Sequence, residues 1–176
     1  MSTLRAATPD DVTALAALIE RSGRELRDGY TEAQAAALTV HVFGVDSQLV
    51  TDGTYFVIED GGVLIACGGW SRRRTLFGGD QAKAGPDPLL DPLREPARIR
   101  AFFVDPTQAR RGLGRRLLAA CEDAARAHGF AVLELVSTAP GEPLYRAGGF
   151  EVVERFVLRL PGRVEAPVAR MRKPLA

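Results

Sequence analysis

The sequence predicts an α/β fold, a central mixed sheet with helices on both faces. A strand–helix–strand unit from Arg98 to Val136 calls for a parallel pair joined by a crossover helix. A strand–turn–strand unit over Tyr55–Ser71 calls for an antiparallel one. The length of 176 residues, 46% hydrophobic and 26% charged, suits a single domain over 1–176. A chain of this size buries about 70% of its unfolded surface, so it needs no disulfide or metal to fold.

The elements follow in order β-α-α-β-β-β-α-β-α-β-β. Leu4–Ala7 reads as a short edge strand. Thr8-Pro9-Asp10-Asp11 reads as a helix start, with Thr8 as N-cap, proline at the first helical position and acids in the first turn. Val12, Leu15, Leu18 and Ile19 recur at helical spacing, and Gly23 is the expected stop. A second, alanine-rich helix covers Thr31–His41. Tyr55–Glu59 and Val63–Ser71 are strands joined by the turn Asp60-Gly61-Gly62. Residues 72–96 carry glycines and prolines throughout and read as a long loop, a kind that is usually functional. Arg98–Val104 is a strand stopped by Asp105-Pro106, and Gly112–His128 is a helix with one apolar stripe, ended by Gly129. Ala131–Val136, Glu142–Ala147, Phe150–Leu158 and Val164–Met171 follow as strand, short helix, strand, strand.

Composition excludes several functions. Twenty-three basic against twenty-two acidic residues leave a net charge of +1, which argues against a nucleic-acid binder. No apolar run reaches the roughly 20 residues of a membrane span, and no signal peptide is visible. Cys67 and Cys121 sit among apolar residues and read as buried free thiols. His41 and His128 are the two histidines, so no metal-ligand spacing exists. A cytoplasmic location is expected.

Chemistry concentrates between Val104 and Arg116, where a strand ends and Gly112 and Gly114 open a long helix. Free amides at a helix start, aided by the helix dipole, bind anions, and glycine lets a phosphate approach the backbone. Arg110, Arg111, Arg115 and Arg116 add positive charge, so a pyrophosphate suits the segment. A bland alternative is a glycine-containing helix start with exposed arginines. The lysine and Ser/Thr of a P-loop are missing, and Leu117 replaces the third glycine of the dinucleotide fingerprint.

A second segment, Leu144-Tyr145-Arg146-Ala147-Gly148-Gly149-Phe150, follows the next strand. The ordered pair resembles the GNAT superfamily of acetyl-CoA-dependent N-acetyltransferases, with Q/R-x-x-G-x-G/A followed by Y-x-x-x-G-F. The resemblance spans the chain, with one departure: Ala109 stands where the family has Gln or Arg. It implies a GNAT-like acyl-CoA N-acyltransferase fold with acetyl-CoA as co-substrate. The backbone of Phe103 and Val104 would bond the pantetheine arm. Amides from Arg110 through Arg111, Gly112, Leu113 and Gly114 to Arg115 would hold the pyrophosphate, and Ser137 or Thr138 would flank the arm.

The same resemblance implies direct attack of an amine on the thioester through a tetrahedral intermediate. Val104 N–H is then the oxyanion donor, and Tyr145 the acid that protonates the leaving thiolate. Tyr145 also reads as a packed helix tyrosine. Arg98 occupies the place of the glutamate that some members carry, which leaves His41, Glu59, Glu95 or a water chain as proton acceptor. His128 reads as a cation at a helix C-terminus. Arg72–Arg74 read either as a solvated run or as recognition of an acidic acceptor, and Trp70 as core or acceptor-pocket wall.

The expected partner is a small-molecule or peptide amine, with no nucleic acid or membrane, and a homodimer left open. A non-catalytic acyl-CoA-binding or regulatory module is the alternative function.

Overall fold

The computed structural model describes residues 1–176. Seven strands form one sheet in the order β1-β2-β3-β4-β5-β7-β6. They are β1 (Thr3–Ala6), β2 (Tyr55–Asp60), β3 (Val63–Ser71), β4 (Ala97–Val104), β5 (Val132–Ser137), β6 (Glu151–Leu160) and β7 (Val164–Pro174). The helices are α1 (Val12–Ser22), α2 (Glu32–His41), α3 (Ser47–Thr51), α4 (Leu113–Ala127) and α5 (Glu142–Ala147). β4 and β5 are parallel, joined by the long crossover that such a pair requires, and every other neighbouring pair is antiparallel.

Alternation along the strands divides the core between two faces. Tyr55 and Val57 point to one side, where Leu15, Leu18 and Ile19 of α1 cover them. Ile58 and Ala66 point to the other, where Leu113 and Leu117 of α4 cover them. Further along, Leu38 of α2 packs on Leu158, Ala166 and Val168. Leu118, Cys121 and Ala125 of α4 pack with Tyr145 on Leu133, Leu135 and Met171. Both cysteines are buried free thiols, and burial pushes Cys67 up to about 12.

Local departures from the expected elements have physical causes. The first turn after Thr8 is 3-10, over Pro9–Asp11, so α1 begins only at Val12. The Asp11 carboxylate accepts the Thr8 N–H at 2.7 Å. Gly23 does not stop the chain in a left-handed turn. It keeps right-handed angles (φ −58°) and continues as a 3-10 helix over Gly23–Asp28. The five residues of α3 are too few to show a helical period, and Asp46 caps them by accepting the Gln48 N–H at 3.1 Å.

Residues 72–96 contain a 3-10 turn at Asp80–Ala82 and a bridge between Arg73 and Leu89. Ion pairs pin this loop. The Arg100 guanidinium, 2% exposed, lies 2.7 Å from the fully buried Asp46 carboxylate and donates to the Thr75 carbonyl at 3.1 Å. Lys83 of the loop reaches the same carboxylate.

Candidate active site

The parallel contact between β4 and β5 is brief, with Ala97 beside Leu133 and Arg98 beside Glu134, and β4 then leaves its neighbour. Ala101 has a φ of 55°, a left-handed conformation uncommon for a residue with a Cβ, and it redirects the strand. The buried Tyr55 hydroxyl lies 3.0 Å from the Ala101 carbonyl oxygen and holds that peptide in place. At the vertex the buried Glu134 carboxylate gathers Arg98 from β4 with Arg170 and Arg172 from β7. Beyond the vertex the two strands border a cleft of about 910 Å³.

Pleat alternation decides which β4 groups face that cleft. Asp105 N–H donates to the Ile65 carbonyl at 2.9 Å, and Cys67 stands opposite Phe103 in register. Residues 103 and 105 therefore bond β3, which turns the N–H of Val104 and the backbone of Phe102 toward the cleft. Phe103 departs from expectation here. Its ring lines the cleft, edge-on to Phe43 at 5.4 Å, but its backbone is committed to β3.

The start of α4 supplies the other wall. The amides from Arg110 to Arg115 donate to no protein acceptor, and the first helical bond runs from Arg116 N–H to the Gly112 carbonyl at 3.1 Å. Arg110 and Gly112 both have left-handed backbones (φ 62° and 76°), which curl these amides into a concavity of the kind that suits anions. A Cβ on Gly112 would meet nothing within 4 Å, whereas one on Gly114 would meet the Leu144 side chain at 2.9 Å. Gly114 thus seats α5 against α4 as well as leaving its amide open.

The four arginines divide. Arg110 and Arg115 line the cleft and make no ion pair. Arg111 does not line it, because its guanidinium turns back to the Gln108 side chain. Arg116 donates to Ser2 Oγ at 2.7 Å.

Val104, Gly112, Leu113, Gly114, Thr138 and Tyr145 line the same cleft. Ser137, which also lines it, donates its hydroxyl to the Thr138 carbonyl at 2.7 Å. Tyr145 projects from α5 with its ring 6.0 Å from Phe102 and 5.9 Å from Phe150. Burial raises its phenol well above the ordinary tyrosine value, so it stays protonated. Packing and cleft lining coexist in this one side chain.

Other candidates lie elsewhere. His41 ends α2 and is not in the cleft wall. Glu59 is held by Arg5 at the sheet edge, and Glu95 accepts the Asp91 N–H. Trp70 is core, packed at a tilt of 55° against His128 with ring centroids 4.9 Å apart, and the His128 ring also lies 2.8 Å from the Ala124 carbonyl. None of Arg72–Arg74 reaches the cleft. Arg73 grips Asp52 at 2.7 Å, Arg74 approaches Glu95 at 3.8 Å, and Arg72 lines nothing there. The carboxylates that do line the cleft, Glu25 and Asp28, escape a sequence reading because they look like loop charges. Their three-residue spacing, shared with Ser22, is the signal that marks them.

The sheet order, the split beside β4 and the open amides of α4 define an acyl-CoA N-acyltransferase fold. The model of the acetyltransferase (GNAT) family matches residues 16–150, and the chain belongs to that family. No curated protein matches the sequence significantly. Solved structures match along nearly the whole chain. A GCN5-related N-acetyltransferase from Rhodopseudomonas palustris is 20% identical, with a TM-score of 0.73, covering 99% of this chain and 96% of that one. The yncA putative acetyltransferase from Salmonella typhimurium, solved with acetyl-CoA, is 20% identical, with a TM-score of 0.63 and coverage of 99% and 94%. The paia N-acetyltransferase from Thermoplasma acidophilum, solved with coenzyme A, is 13% identical, with a TM-score of 0.66 and coverage of 99% of each chain. No helix is long and apolar enough to cross a membrane.

Proposed function

We propose that the chain transfers the acetyl group of acetyl-CoA to a primary amine of a small molecule or peptide by direct attack. The observation that carries this reading is the run of amides from Arg110 to Arg115 without a protein acceptor, at the wall of a cleft that Val104 N–H also faces. Unpaired amides at a helix start call for an anion, and a pyrophosphate with two unpaired arginines beside it meets that demand. The bound thioester supplies an electrophilic carbonyl and a thiolate leaving group.

The chain's own groups then divide the work. Amides 110–115 with Arg110 and Arg115 hold the pyrophosphate, and Thr138 flanks the arm. The acceptor ammonium first gives a proton to water in the open cleft. Val104 N–H then stabilises the oxyanion that develops as the neutral amine adds, and the proton the nitrogen sheds passes through water to restore the Tyr145 phenol. Tyr145 donates to the sulfur as the carbon–sulfur bond breaks. A phenol with a raised pKa is a reluctant acid, so its contribution falls at the low end of the usual range for general acids.

Thiol release from acetyl-CoA across a panel of amines, with calorimetric titration of coenzyme A, tests the reading. Tyr145→Phe is expected to lower kcat about a hundredfold while coenzyme A affinity changes little. Unchanged turnover under chemistry-limited conditions would return Tyr145 to a packing role. Coenzyme A binding without thiol release for any amine would mark a non-catalytic binding module.

A further inference from the structure

The six-residue 3-10 helix Gly23–Asp28 is long for its kind. Three residues per turn stack positions three apart, which sorts this segment and Ser22 into three rows. Arg24 and Arg27 face outward and are exposed. Gly23 and Leu26 face inward, with Leu26 buried against Leu38 and Leu158, and they also border the cleft. Ser22, Glu25 and Asp28 form the third row, and all three line the cleft.

That row makes no side-chain hydrogen bond or ion pair within the protein. Ser22 is 8% exposed, yet its hydroxyl makes no hydrogen bond within the protein. Glu25 and Asp28 form no ion pair, and their mutual repulsion adds to burial in raising the proton affinity of Glu25. The cleft's basic residues do not answer them. Arg100 is matched by Asp46, and Arg110 and Arg115 belong to the α4 wall. The cleft lining also includes the apolar side chains of Phe43, Leu76, Phe77 and Val168.

We infer that the Ser22–Glu25–Asp28 row receives the ammonium of the acceptor, and that the acceptor is a primary amine on an apolar body with no carboxylate of its own. An ammonium has three donors, and Glu25 with either neighbour in its row, one 3-10 turn away at about 6 Å, can meet it with two side-chain acceptors. A carboxylate on the acceptor would meet two like charges on this wall. The inference rests on the acetyl-transfer reading only in naming this ligand as the acceptor.

Phenethylamine and phenylalanine share a ring and an amine and differ by one carboxylate, so they serve as probes. Each is titrated calorimetrically into the protein saturated with coenzyme A. Phenethylamine is expected to bind at least about tenfold more tightly than phenylalanine. The Glu25→Gln, Asp28→Asn double variant is expected to weaken phenethylamine about tenfold and to erase the preference. Its melting temperature should stay within a few degrees, because both side chains are exposed. The Glu25→Lys, Asp28→Lys variant should turn the preference toward phenylalanine. Equal binding of the two probes, no binding of phenethylamine at millimolar concentration, or a preference that survives the double variant would overturn the inference. Thiol release is read separately. Its absence for every amine would sink the acetyl-transfer reading while leaving the measured preference to stand or fall alone.

Discussion

Two arginine-rich segments, Arg72–Arg74 before β4 and Arg110–Arg116 after it, differ in what their guanidinium groups find. Arg73 is clasped by Asp52 at 2.7 and 3.0 Å and donates to the Asp87 carbonyl at 3.0 Å. It works with the Arg100–Asp46–Lys83 cluster to fasten residues 72–96 to the sheet. Arg110 and Arg115 find no carboxylate and sit beside six amides that also lack acceptors. Arginine density therefore says little about ligand binding. The presence or absence of a built-in partner decides whether the charge stabilises the fold or awaits an anion.

Four experiments press on that contrast. The largest effect is expected from Asp46→Ala, which leaves Arg100 buried without its counter-ion. Removing one member of a buried pair costs about 3–5 kcal/mol, to be read from denaturant unfolding. A loss below about 1 kcal/mol would mean that the cluster does not fasten the loop. Next comes Gly112→Val, where the left-handed backbone opposes a β-branched side chain. Coenzyme A affinity is expected to fall about a hundredfold, or about 2.7 kcal/mol. A folded variant that binds as before would end the assignment of this turn to a pyrophosphate.

A crossed pair of variants separates the two arginine groups directly. Arg73→Ala leaves Asp52, whose side chain is 6% exposed, without its cation, so about 2 kcal/mol of stability is lost and coenzyme A affinity holds. Arg110→Ala with Arg115→Ala should do the reverse, weakening coenzyme A about tenfold at constant melting temperature. Effects of both variants on the same observable would break the contrast.

The smallest effect concerns acid. Hydrogen bonds from Arg5 lower Asp11 from 3.8 to about 2. A lowered acid stabilises the fold fully above its unfolded pKa and loses that contribution as pH falls through the folded one. The melting temperature should therefore drop between about pH 4 and pH 2, and less steeply in Arg5→Ala. Identical acid profiles for the two proteins would dismiss the pair as a contributor.

Residues whose local chemistry admits one conformation were legible from the sequence. The Asp60-Gly61-Gly62 turn fixes the β2–β3 hairpin, and β3 falls on Val63–Ser71 as expected. The stripe from Leu113 to Ala125 fixes α4, and Glu142–Ala147 is the helix predicted. Gly23 misleads because glycine permits a left-handed stop without requiring one, and one buried residue, Leu26, cannot announce a period of three. In the site, the α4 start and Tyr145 announce themselves by motif. The backbone direction of Phe103 depends on pairing with Cys67, a partner 36 positions away, and the Arg111 side chain on a local reversal. Pairing across such distances is invisible to residue-by-residue reading.

Recognition by main-chain amides has an evolutionary corollary. Every residue except proline carries the same N–H, so side chains at 109, 111 and 116 are free to drift while the anion contacts persist. Ala109, where the family motif calls for Gln or Arg, is a departure that a main-chain site of this kind would tolerate. Saturation mutagenesis selected for coenzyme A binding should give a flat tolerance profile at those three positions, broken only by proline. Sharp minima should fall at Gly112 and Gly114, where conformation and contact, rather than chemical identity, exclude the alternatives.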